Sequence, residues 1–234
     1  WKTSMEKVLA LLISAHFFVD FFLLPACLEK RKQAIPFLAL HSFIHAVVAY
    51  LFLQMWSFWQ LPLAVFCAHF LIDAVAMRFS DTYKAFAAEQ TAHIGGLVVI
   101  AFVLQHTVGL PAFTGFGFRL LMAIGGFFAT VPGAGDFVGK FIKPLLIQQK
   151  NQLESDGLID GGAWIGRLER ALIFLFIFIG YPAGIGFLVT AKSILRFEEA
   201  KKTRQQAEYV LIGTFWSYSL AIALTSATQW AMKL

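Results

Sequence analysis

At 234 residues, with 59% hydrophobic and 14% charged side chains and a mean hydropathy of +0.70, the chain falls outside ordinary soluble domains, which carry about a quarter charged residues. Its 26 Phe and 6 Trp add more apolar surface than a soluble fold of this length can hide. The formal net charge of +5 gathers in a few loops, a pattern that reads as membrane topology and anionic lipid headgroups and gives nucleic acid no support.

Hydropathy and loop signals predict an all-α, polytopic transmembrane helix bundle of about eight segments, near 6–28, 35–56, 60–78, 85–106, 116–131, 164–180, 182–196 and 208–231. The runs are continuous, without the short alternation of a membrane barrel. The first run contains His16 and Asp20, which do not suit a secretory signal core, so it is read as a span. Basic clusters fall at Lys30-Arg31-Lys32, Arg78 to Lys84, Lys140 to Lys150, Arg167/Arg170 and Lys192 to Arg204. They occur at every second connection, which predicts cytoplasmic loops there and both termini outside. Residues 136–150 are expected to form an interfacial helix with Phe137, Phe141 and Leu145 on one face. The Gly-rich turn Pro132 to Asp136 before it is expected to end a helix, and the polar stretch Lys150 to Gly162 to be a cytoplasmic loop. The predicted division is therefore 1–131, a bundle with a His/Asp-rich first four helices; 132–163, a cytoplasmic or interfacial segment; and 164–234, the C-terminal helices. Cys27 and Cys67 lack CxxC-type spacing and read as packing residues.

Chemistry concentrates in the first four helices, where five of the six histidines belong to polar pairs and His106 sits at the outer end. Each of these helices carries a polar pair at i,i+4: His16/Asp20, His41/His45, His69/Asp73 and Glu89/His93. That spacing puts both members on one helix face, one turn apart, as HExxH motifs and four-helix di-metal proteins do with their ligands. Counting inward from each basic boundary at about 1.5 Å per residue places Asp20, His45, His69 and His93 roughly 14–16 Å deep. His41, Asp73 and Glu89 come out at about 8–10 Å, and His16 at about 20 Å. Because the helices alternate in direction, matching depths predict one site in the cytoplasmic half. The inner parts of these helices offer no Lys or Arg to neutralise their carboxylates, and an unpaired ionisable group in a membrane helix costs several kcal/mol, on the order of 3. A divalent transition metal, zinc first, fits the imidazole and carboxylate donors. Its candidate ligands are His16, Asp20, His41, His45, His69, Asp73 and His93. Interhelical Asp–His hydrogen bonding without metal is the alternative reading of the same pairs.

In the second half, Arg167 and Arg170 open one helix, and Lys192 and Arg196 close the next. All four are predicted on the cytoplasmic side and are candidate anion-binding residues, since Arg grips phosphate bidentately and Lys as a point charge. Positive-inside anchoring, with Glu169 paired to a neighbouring Arg, is the reading these residues favour when taken alone.

The motifs HFFVD, HSFIH, HFLID and the fourth-helix His, with IGRLERALIF, IGFLVTAKSILRFEEA and EYVLIGTFWSYSLAI, resemble the bacterial membrane family catalogued as domain of unknown function 3307. The resemblance implies a membrane helix bundle and transfers no activity. In the first motif the sequence continues DFFLLPACLEK, lacking the Gln that often follows the Asp-Phe pair in that family. A more distant similarity to inner-membrane metal-dependent hydrolases is an analogy only.

The leading expectation is a membrane-embedded metal-dependent hydrolase acting on a phosphorylated or lipidic substrate at the cytoplasmic leaflet, with Asp20 or Glu89 as general base or orienting group. The alternatives are a divalent-metal transporter or channel, which would need a polar path to the outer face, and a metal-stabilised scaffold or sensor.

Overall fold

The computed structural model describes residues 2–23, 34–107, 115–147, 161–197 and 204–234. Among them the chain is all helical: α1 (Lys2–Phe18), a π turn (Val19–Leu23), α2 (Ile35–Leu53), α3 (Gln60–Ala76), α4 (Tyr83–Thr107), α5 (Gly115–Phe128), a second π turn (Ala129–Gly133), α6 (Ala134–Ile147), α7 (Gly161–Phe178), α8 (Ala183–Phe197) and α9 (Arg204–Ala231). Followed through the π turns, these are eight continuous helices, the number the hydropathy pattern predicts. Three stretches, Ile35–Leu53, Tyr83–Thr107 and Gly115–Pro144, are long and apolar enough to cross a membrane. The cluster at Lys30-Arg31-Lys32, residues 150–160 of the predicted polar loop, and Cys27 lie outside the described residues, while Gly161 and Gly162, placed in that loop by the sequence, begin α7.

One expectation is corrected. The Gly-rich turn at Pro132 does not end a helix; α5 runs through a π turn into α6, so 116–131 and the predicted interfacial segment join into one long helix. Proline removes one N–H from the helical ladder, and a π turn is one way a helix absorbs that gap. Phe137 and Phe141, on the predicted apolar face of α6, pack against Trp216, with ring centroids 6.2 and 5.2 Å apart; the Leu145 side chain lies outside the described residues.

The chain forms two compact units, Trp1–Ala129 with Thr228–Leu234, and Thr130–Ala227. In the first, α1 packs on α2 and α4, α2 on α3, and α3 on α4, closing a four-helix ring, while α5 lies against α1. The helix α1 is the central one: Val8, Leu11, Leu12 and Ala15 are all buried, as is Val19 at the start of the π turn that follows. The last residues of the chain, which the sequence groups with the C-terminal helices, belong to this unit, and Ala231 joins its core.

The ring has an inverted character. On α2, Leu40, Phe43, Val47 and Leu51 form an exposed stripe at helical spacing, while His41, Ser42 and His45 are buried behind it. On α4, Val98, Val99, Phe102 and Val103 point outward and His93 inward. Large apolar side chains outside and ionisable ones inside is the arrangement a lipid solvent selects, because the polar groups must find their partners within the protein.

Small residues set the close contact of α5 with α1. A Cβ added at Gly125 would lie 2.5 Å from the Ser14 Cα, a separation only a hydrogen tolerates. Packing of this kind, with small residues letting backbones approach, is a principal source of membrane-helix association. Replacing Gly125 with Leu is therefore expected to destabilise the first unit by at least about 1–3 kcal/mol, the usual cost of overpacking. Thermal unfolding in detergent, with Gly117→Leu as the control at a position where an added Cβ meets nothing within 4 Å, measures it.

Candidate metal centre

Four helices supply the site, each through the i,i+4 pairs that the sequence displays. The α-helical part of α1 ends at Phe18, and Asp20 sits in the π turn that follows. Such turns are frequent at functional sites, since the extra residue re-aims a side chain without ending the helix. His41 and His45 lie on the inner face of α2, His69 and Asp73 on that of α3, and His93 on that of α4. His16, His41, His45, His69, Asp73 and His93 are each only 1–4% exposed.

These side chains meet in one cluster, as the depth count predicts. The three layers it implied are merged, because one helical turn, about 5.4 Å, lies within the combined reach of an imidazole and a carboxylate. His45 Nε2 is 3.0 Å from Asp20 Oδ1 and His93 Nε2 is 3.0 Å from Asp73 Oδ1. His41 Nε2 lies 3.3 Å from Asp73 Oδ2, 3.6 Å from Asp20 Oδ1 and 3.2 Å from His69 Nε2. His69 Nε2 is 3.8 Å from Asp73 Oδ2, and His16 Nε2 is 3.4 Å from Asp20 Oδ2. The rings of His45 and His93 stack on His69 at 3.6 and 4.0 Å between centroids.

Every one of the five imidazoles is engaged in these contacts through Nε2. Donor atoms around a tetrahedral metal, at metal–ligand distances of about 2.0–2.1 Å, are separated by about 3.3 Å. The Nε2 and carboxylate spacings here fall around that value. Three groups bring their donor atoms within 4.8 Å of one another: His16, Asp20, His45 and His69; His41, His69 and Asp73; and Asp73, Glu89 and His93. Buried His/Asp clusters capable of holding a metal ion are thus present at the predicted residues. Glu89, read from sequence as a candidate general base or orienting group, stands here in a ligand group with Asp73 and His93.

Gln90 is a site residue that the sequence pairs pass over. Its amide nitrogen donates to Asp20 Oδ2 at 3.1 Å, and its Oε1 is 3.1 Å from His16 Nε2. A legible signal existed, since Gln90 lies three residues before His93 and so shares its face. Removing groups that orient metal ligands typically costs about 10–100-fold in metal affinity. Gln90→Leu is expected to weaken metal binding by about that factor, checked by competition with a chelator of known affinity. His106, the sixth histidine, is exposed and its Nδ1 donates to the Phe102 carbonyl at 2.8 Å.

The candidate anion-binding residues are all in the second unit. Arg170 is buried; its Nε donates to the Val131 carbonyl at 2.7 Å and its Nη1 to Ser217 Oγ at 3.1 Å. Lys192 pairs with Glu169 at 2.6 Å and lies 5.5 Å from the centre of the Tyr218 ring. Arg167 is exposed, its guanidinium 5.2 Å from the centre of the Trp164 ring. Arg196 is in α8, and its side chain lies outside the described residues. Two of the four cations, Arg170 and Lys192, are therefore engaged by groups of the protein itself.

Comparison with curated proteins and with solved structures returned no match. A family model described as "Protein of unknown function (DUF3307)" matches residues 8–114. The match takes in α1 through α4 and every member of the His/Asp cluster, while the second-half motifs lie beyond it. The matched segment, residues 8–114, is the part of the chain that builds the candidate metal centre.

Proposed function

We propose that the chain is a multi-pass membrane protein of the bacterial inner membrane whose first four helices hold a divalent transition metal, zinc first, and use it for hydrolysis at the cytoplasmic face. One observation carries this reading: five Nε2 atoms and two carboxylates from four helices converge at ligand spacing, buried behind an exposed apolar surface. In that setting the carboxylates need compensating positive charge, and the helix interiors around them supply no Lys or Arg. Imidazole with carboxylate suits zinc and its neighbours better than calcium or magnesium. A metal bound here supplies a Lewis acid and lowers the pKa of a water molecule.

The chain's own groups have distinct parts. His69, shared by two of the ligand groups, anchors the ion. Asp20 and Glu89 are the less buried carboxylates, so they mark the side from which water and substrate reach the cluster. Asp20 takes the proton of the attacking water, with Gln90 holding its Oδ2 in place. A phosphorylated or lipidic substrate from the cytoplasmic leaflet matches the membrane setting.

Elemental analysis of the purified full chain, followed by turnover of phosphoester and ester lipids in vesicles, tests the reading in two steps. Metal is expected at one or more equivalents. Compared at equal metal content, Asp20→Asn is expected to lower turnover by about 100-fold or more, the usual scale for loss of a general base. A protein free of metal after reconstitution would return the histidines to interhelical hydrogen bonding. Full metal with no turnover of any substrate would leave the centre without catalysis, as in a scaffold or sensor.

A further inference from the structure

We propose that the cluster binds two metal ions rather than one, and that the carboxylate of Asp73 bridges them. The inference rests on the metal-binding reading above and concerns how the ligands are divided. Two of the three ligand groups contain His69. A neutral imidazole nitrogen gives its lone pair to a single ion, so both groups describe one ion, placed at His69 Nε2. The third group, Asp73, Glu89 and His93, shares no residue with the four-residue group of His16, Asp20, His45 and His69. It is a second set of donors, complete enough for an ion of its own, since catalytic sites commonly use three protein ligands.

Asp73 connects the two. Its Oδ2 lies toward the first ion, 3.3 Å from His41 Nε2 and 3.8 Å from His69 Nε2. Its Oδ1 lies toward the second, 3.0 Å from His93 Nε2. A carboxylate whose two oxygens address different imidazoles has the disposition of a bridging ligand, and paired ions in two-metal sites sit about 3.5–4 Å apart. Asp73 is 2% exposed, so no bulk water competes for either oxygen.

Charge supports the same count. With neutral imidazoles, Asp20, Asp73 and Glu89 carry three negative charges; one divalent ion leaves the centre at −1 and two bring it to +1. A positive centre receives an anionic substrate oxygen, whereas a negative one repels it. The eight donors that the sequence pairs provide also exceed what a single four-coordinate ion can use.

The test is titration of metal-stripped full-length protein with Co(II), followed by visible absorption and electron paramagnetic resonance. Absorption is expected to rise to a break at two equivalents. The second equivalent should diminish the half-integer spin signal of the first, as coupling through a carboxylate bridge requires. Glu89→Gln, a conservative change at a half-buried position, is expected to move the break to one equivalent with an uncoupled signal. Asp73→Asn should abolish the coupling. A break at one equivalent in the unmodified protein overturns the two-ion proposal and leaves the metal-binding reading standing. Two equivalents whose signals simply add would overturn the bridge. Failure to take up any Co(II) overturns both.

Discussion

Replacing His69 with Ala is expected to strip the protein of metal, the largest single effect at the centre. His69 Nε2 belongs to two ligand groups, lies 3.2 Å from His41 Nε2, and its ring is stacked between those of His45 and His93. Its removal deletes a donor and also the surface against which two others are held. Loss of groups that only orient a ligand costs about 10–100-fold in affinity, so loss of this shared ligand is expected to exceed 100-fold. His106→Ala, at the exposed histidine outside the cluster, is the control and should retain metal fully. Metal content after gel filtration, measured on both variants beside the unmodified chain, decides it. Stoichiometric metal in His69→Ala would remove that residue from the site and with it the proposed position of the first ion.

The second large effect is expected at Arg170, in the other unit. Its guanidinium is buried, donates to the Val131 carbonyl inside the π turn and to Ser217, and lies near the carboxylates of Asp136 and Glu169. Removing one partner from a buried charged network leaves the others uncompensated, at a cost of about 3–5 kcal/mol. Arg170→Met should therefore lower the unfolding free energy of the second unit by about that amount. The space for Arg170 comes from two glycines: a Cβ at Gly135 would collide with its Nη2, and one at Gly166 would lie 3.1 Å from its Nη1. Gly135→Ala is accordingly expected to be destabilising by itself. Combined with Arg170→Met it should cost less than the sum, by about 0.5–3 kcal/mol, because the added methyl no longer has a guanidinium to displace. Additive costs would show that Gly135 serves some purpose other than admitting Arg170. Thermal unfolding in detergent of the four proteins in the cycle supplies the comparison.

Much of the site was legible because helical spacing is local. An i,i+4 pair shares a face in any α-helix, so His41/His45, His69/Asp73 and Glu89/His93 announce one polar face on each of three helices. The same rule covers His16/Asp20, although a π turn intervenes at Asp20. Counting residues from the basic boundaries then brought the four faces to comparable depth. Ligand division was not legible: whether His69 serves one group or two, and which oxygen of Asp73 faces His93, depends on how helices rotate and approach one another.

In the second half, charge pattern gave a misleading guide to partners. Arg170 and Lys192 look like surface cations when counted along the chain, but each has an internal partner supplied by a distant segment: Val131 and Ser217 for one, Glu169 for the other. The continuity of α5 with α6 was hidden for a related reason. Pro132 and the glycines around it weaken a helix locally, yet the helix runs on through a π turn whose Val131 carbonyl accepts from Arg170.

By itself the sequence determined the helical class, the apolar runs long enough for a bilayer, and the residues of the cluster, since hydropathy and 3.6-residue periodicity act within one helix. Tertiary structure alone decided how the donor atoms are grouped, which side chains Gln90 contacts, and that Arg170 is buried. Those outcomes depend on contacts between segments far apart in the chain, such as the close approach of Gly125 to Ser14 and the space Gly135 leaves for the Arg170 guanidinium.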